Sequence, residues 1–123
     1  MLSTAALVKA RSALERGYIG RMDVYESTQT TDPITHITEA AETQVLSGAP
    51  CRLSFSSSPA TVGDAAETRQ TVKVFFSPDT AIRPGSRLVI TQNGITETYW
   101  HSGTEAVYGT HREVVLELTE RWA

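Results

Sequence analysis

Four stretches of this chain alternate apolar and polar side chains with a period of two. Cys51, Leu53 and Phe55 alternate with Arg52, Ser54 and Ser56, and Val72, Val74 and Phe76 stand around Lys73. Leu88 and Ile90 alternate with Arg87 and Thr91, and Val114, Leu116 and Leu118 with Glu113, Glu117 and Thr119. Successive side chains of a strand point to opposite faces, so each run predicts a strand with one buried face. The inward-pointing sets are the predicted core.

Turn chemistry places the connections. Asn93-Gly94, between "RLVITQ" and "ITETYWH", suits the two positive φ angles of a tight hairpin. Pro84-Gly85 fits the centre of a type II turn, so a strand should begin just after it. Upstream, "RMDVYES" (21–27) and "ETQVLSG" (42–48) bracket a polar segment around Asp32-Pro33 and predict a hairpin with a long or irregular tip. Only residues 3–16 carry a helical pattern: Ser3 suits the cap, Leu7, Ala10 and Leu14 share a face, and Gly17 suits the stop.

About six short antiparallel strands without a βαβ rhythm predict a mainly β fold, a small antiparallel barrel or sandwich. The N-terminal helix, 1–17, packs outside it or covers an end, and 18–123 form the barrel domain. Between two of the strands lies "SSPATVGDAAETRQ", residues 57–70, expected as a long polar loop inserted in that domain.

The 123 residues suit one domain, and a composition of 40% hydrophobic and 20% charged residues fits an ordinary globular protein. There is no apolar run of the roughly 18 to 20 residues a membrane crossing needs. The start of the chain lacks a basic region followed by an apolar one, so an intracellular protein is expected. One cysteine, Cys51, excludes an internal disulfide and a sulfur-rich zinc site. A net charge of -3 argues against a nonspecific nucleic-acid binder.

No motif carries catalysis. His36, His101 and His111 lack ligand spacing and are expected as surface or turn residues. The serines of "SFSSSP" have no nucleophile elbow around them, and Asp64 and Glu67 fall in the loop, where a catalytic carboxylate pair would not be held. Gly103 and Gly109 make no phosphate-binding fingerprint. Cys51 alternates with apolar residues and is expected buried. Trp100 and Tyr99 point to opposite sides, so one faces outward, and Trp122 either covers the barrel end or binds a neighbour. The expectation is a non-enzyme without cofactor or metal.

In "GAPCRLSFSS", "VKVFFSPDTAIRPGSRLVIT" and "HSGTEAVYGTHREVVLEL" with the terminal "RWA", the chain resembles the small head-tail connector proteins of tailed bacteriophages. These are the head-completion, head-closure or stopper proteins, also described as minor capsid proteins. The resemblance spans about residues 20 to 123. It implies a β-barrel in rings of about six or twelve copies at the head-tail junction of the virion, below the portal or adaptor protein. It also implies contact with a tail-terminator or tail-completion protein, and packaged double-stranded DNA passing through the ring without sequence-specific binding. In such stoppers a loop between two barrel strands reaches into the channel, and residues 57–70 occupy that place here.

On this resemblance Ser58, Thr61, Asp64, Glu67 and Arg69 are candidate channel or subunit contacts, with acidic residues outnumbering the arginine so that phosphates are repelled. Leu7, Leu14, Trp100 and Trp122 are candidate partner contacts, although Leu7 and Leu14 equally suit packing on the chain's own barrel. Two further readings stay open: a tail-completion ring of the same virion, and a ligand-binding barrel for oligosaccharide or oligonucleotide. The last would group exposed aromatic residues on one sheet face.

Overall fold

A computed structural model describes residues 3–62 and 65–118, with the backbone alone at 58–62 and 65–69. The order is α1 (Thr4–Glu15), β1 (Gly20–Thr31), β2 (Thr38–Val62), β3 (Ala65–Phe76), β4 (Arg87–Gln92), β5 (Ile95–Val107) and β6 (Arg112–Glu117). The six strands are antiparallel and close into a barrel in the order β1-β2-β3-β6-β5-β4. Closure comes from β1 and β4, which pair from Arg21↔Thr91 to Tyr25↔Arg87.

The core is what the alternation predicts, with additions. Cys51, Leu53, Val74, Phe76, Leu88, Ile90, Val114 and Leu116 are buried together, and Val72 packs against them half-buried. Met22, Val24, Ile82 and Tyr99 join them. Two predicted core residues are not inside. Phe55 is 54% exposed, and Leu118 is exposed just past the end of β6. Each follows the alternation faithfully, but Phe55 lies past the point where β1 covers β2 and Leu118 past the end of β6, so the inward side there faces no opposing wall.

Turns behave as their residues require. Asn93 and Gly94 both take positive φ, 54° and 76°, and Gly85 takes 84° beside Pro84. Gly20 has a different reason to be glycine: a Cβ there would meet the Cys51 carbonyl oxygen at 3.0 Å and its Sγ at 3.2 Å. The close approach draws β1 onto β2 where the two strands meet the core.

The Ser3 Oγ caps α1 by accepting from the Ala6 amide at 3.1 Å. Gly17 does not end the helix through a positive φ; the chain tightens instead, with Gly17 N donating to Leu14 O and Tyr18 N to Glu15 O. Ala10, expected on the packing face, is exposed. Leu7 is half-buried on Gly109, where an added Cβ would stand 3.0 Å from Leu7 Cδ1. Arg11 pins the same helix to the β3-β4 connection by donating to Ser77 Oγ at 2.9 Å and Asp79 Oδ2 at 2.8 Å.

The largest departure from expectation is at 57–70. In place of an unpaired loop, β2 and β3 stay in register from Cys51↔Phe76 out to Val62↔Ala65. A polar stretch needs no apolar alternation to pair its backbone, and serine, threonine, alanine and valine carry no bar to extended structure.

Phe76, fully buried on β3, tests the core. Phe76→Ala is expected to lower unfolding free energy by about 3 to 5 kcal/mol, measured by urea denaturation. A loss below about 1 kcal/mol would show that the barrel interior collapses around the missing ring.

Candidate functional site

Strand β2 is longer than any of its neighbours. It pairs with β1 from Thr38 to Cys51 and with β3 from Cys51 to Val62. Since β1 pairs with β4 only as far as Tyr25, residues 26–31 and 38–43 form a two-stranded ribbon outside the barrel. Since β3 pairs with β6 only from Val72 onward, residues 56–62 and 65–71 form a second one. The two leave from opposite ends of β2, each roughly 20 Å long at about 3.3 Å per residue.

A bare two-stranded ribbon is marginal in water, so what fixes each base matters. At the second ribbon β1 has stopped at Gly20, and among the described residues the β2 backbone at Leu53 has no strand partner on that side. The Gln92 side chain fills the gap. Its Oε1 accepts from Leu53 N at 2.8 Å, and its Nε2 donates to Leu53 O at 3.4 Å. A primary amide thereby stands in for the missing peptide group and holds β2 straight as it leaves the wall.

The first ribbon is held by Arg87. Its Nε and Nη2 donate to both Glu42 oxygens, at 2.8 and 3.1 Å, while the guanidinium lies 4.4 Å over the centre of the Tyr25 ring. At the tip Asp32 Oδ1 accepts from the amides of Ile34 and Thr35, and His36 turns the chain with φ 60°. This ordered tip presents Ile34, 87% exposed, and Ile37, 58% exposed.

The sequence-predicted site residues fall as follows. Ser58, Thr61, Glu67 and Arg69 lie on the strands of the second ribbon, with Ser58↔Arg69 directly paired and Thr61 and Glu67 near its tip. Asp64 and Trp122 lie outside the described residues. Leu7 rests on the barrel, and Leu14 is half-buried. Of the pair on β5, Tyr99 is buried and Trp100 faces outward, half-covered, lining a shallow groove with Tyr25, Glu42 and Arg87. The base clamps Gln92 and Arg87 escaped sequence reasoning, because neither residue type signals a role until the strand it serves is seen to end.

His101 corrects another expectation: it is buried, not at the surface. Its Nδ1 accepts from Gly103 N at 2.9 Å, which leaves the proton of the neutral ring on Nε2. Among the described residues that atom has no hydrogen-bond partner, and it stands 3.7 Å from Glu105, whose other oxygen accepts from Arg112 at 3.2 Å. Burial lowers the His101 pKa below its ordinary value, and Glu105 opposes the shift. Burial also pushes the Cys51 thiol up to about 12, so it is not a nucleophile. His111, half-buried, stacks on Tyr108 and bonds Glu113 at 2.9 Å. Among the described residues no three of His, Cys, Asp or Glu converge as metal ligands would.

Compared with known proteins, the chain matches no protein family and no curated sequence. Similar solved structures include the phage-like element PBSX protein xkdH from Bacillus subtilis, with a TM-score of 0.50 at 16% identity, over 78% of this chain and 90% of that one. The likeness shows a shared fold.

Two measurements check this geometry. Gln92→Ala strips both bonds from the Leu53 peptide and is expected to cost about 1 to 3 kcal/mol. Hydrogen exchange should speed at Leu53 and at the ribbon amides beyond it; unchanged exchange there would mean the clamp is idle. For His101 the folded pKa lies below the unfolded value of 6.5, so the unfolded state takes up the proton first. Stability is therefore expected to fall as pH drops below about 6.5, and His101→Gln should flatten that decline in urea midpoints measured between pH 7.5 and 5.

Proposed function

We propose that this chain is a structural ring component of a phage or phage-like particle, acting as the head-closure protein at the head-tail joint. The observation that carries the reading is the ribbon of residues 56–62 and 65–71, a clamped extension of a closed barrel at the place where the resembled stoppers put their channel loop. The structural neighbour's description names a phage-like element, which supports the same direction.

In this reading the barrel forms the wall of a ring below the portal or adaptor, and the ribbon of each copy points toward the axis. A paired ribbon fits the task better than a loose loop does. Its backbone is already ordered, so closing the channel costs little conformational entropy. The ribbon's tip sequence holds Asp64 and Glu67 against Arg69, a slight acidic excess that discourages DNA from adhering as it passes. Copies of the chain, the portal or adaptor and a tail-terminator or tail-completion protein are the partners, and the work is mechanical. A tail-side ring of the same virion is the second reading, supported by the same barrel and ribbon.

The test is a shortened ribbon. Deleting 59–62 together with 65–68 removes paired residues from both strands and keeps the register of the remainder. Particles built with this variant are expected to lose packaged DNA after filling, seen as a several-fold drop in nuclease-protected genome per head. Electron microscopy of the intact particle supplies the position: a ribbon on the outer surface, or full heads that stay full, defeats the gating role.

A further inference from the structure

Among the described residues Arg11, Lys73, Arg83, Arg87 and Arg112 each lie within ion-pair distance of a carboxylate. The remaining described cations, Lys9, Arg16, Arg21 and Arg52, make no ion pair there, and the last three lie where the end of α1 meets the β1-β2 sheet. Lys9 and Arg16 are two turns apart on one side of α1, both exposed. Arg52 Nη1 comes within 3.3 Å of where a Cβ on Gly17 would stand, directly after that helix. Arg21 pairs opposite Pro50, so Arg52 is its diagonal neighbour on the same outer face of the β1-β2 sheet. Ile19, 57% exposed, lies in the link from α1 to β1, between Gly17 and Arg21.

The complement lies on the same chain. Residues 26–43 hold no lysine or arginine; Glu26 and Glu42 pair with Arg83 and Arg87 at the ribbon base, which leaves Asp32 and Glu39 as the acidic groups beside the exposed Ile34 and Ile37 of the tip. One surface is an isoleucine within a basic rim, the other two isoleucines within an acidic one, the arrangement of an apolar centre and polar margin found at protein interfaces. The two surfaces cannot meet within one molecule. The tip pair Thr31↔Thr38 and the pair Arg21↔Pro50 are separated along β2 by roughly 40 Å at about 3.3 Å per residue.

We infer that the acidic β1-β2 ribbon of one copy docks on the basic patch around Arg16, Arg21 and Arg52 of the next copy. The contact joins two different surfaces, so each copy offers one of each and the association propagates head to tail, closing into a ring when the rotation allows. The inference rests on the ring reading for its occupant, a second copy of this chain, and it assigns the contact to the ribbon at the other end of β2 from the channel ribbon.

Site-directed cross-linking tests it. A chain with Ile34→Cys is mixed with a chain carrying Ile19→Cys, and a short bismaleimide is added; the native Cys51 is buried and stays unreactive. The mixed dimer is expected several-fold above the yield of a control pair, Val107→Cys with Ile19→Cys. Arg21→Glu with Arg52→Glu on the second chain should abolish it, and Gln29→Lys with Glu39→Lys on the first chain should then restore it. These charge changes fall on exposed residues that anchor no other strand. A yield no higher than the control, or one indifferent to charge reversal, overturns the contact. So does wild-type binding of duplex DNA at about 0.15 M salt that the double arginine variant loses, since phosphate would then be the ligand of the patch. A ring seen in particles without the cross-link sinks the contact alone; the cross-link with the chain found away from the head-tail joint sinks the ring reading alone.

Discussion

Everything in this molecule depends on one strand, β2, keeping a paired neighbour along its whole length. A closed barrel removes sheet edges only for as long as the neighbouring strands run alongside. β1 covers β2 as far as Cys51 and β3 takes over from Cys51 onward, so this residue is the hinge of the register. The barrel needs only the middle of the strand. The two ends become ribbons because their hairpin partners follow them outward, and the core keeps the shared strand in place.

The alternating runs were legible because the interior of a barrel imposes period two directly on side-chain polarity. Where the interior stops, the code stops with it. Residues 27–45 are exposed on both faces, apolar and polar side chains are equally tolerated there, and the sequence reads as a polar gap around Asp32-Pro33. Residues 57–70 read as a loop for the same reason. Phe55 shows the converse error, since it keeps the alternation past the reach of β1 and lies in the open, in a groove it shares with Ile95 and Tyr99.

Polar residues with local structural tasks were the least visible. Gln92 replaces a peptide group for Leu53, Arg87 ties the acidic ribbon to the barrel, and His101 sits in the interior at the bulge between β5 and β6. None of these follows from a motif. Each is set by a place where a strand ends or shifts, and a single sequence does not mark those places. The turns, by contrast, were readable, because a positive φ restricts residue choice strongly: Asn93-Gly94 and Pro84-Gly85 stand where the chain bends.

The ribbons have one more property that follows from their pairing. Adding or removing two residues on each strand leaves every side chain on its former face, whereas a change of one inverts the face of all that lie beyond. Because neither ribbon shares its outer pairs with the barrel, such changes leave the core untouched. Reach is therefore an adjustable dimension of this design, set in steps of roughly 7 Å and independent of the stability of the body that carries it.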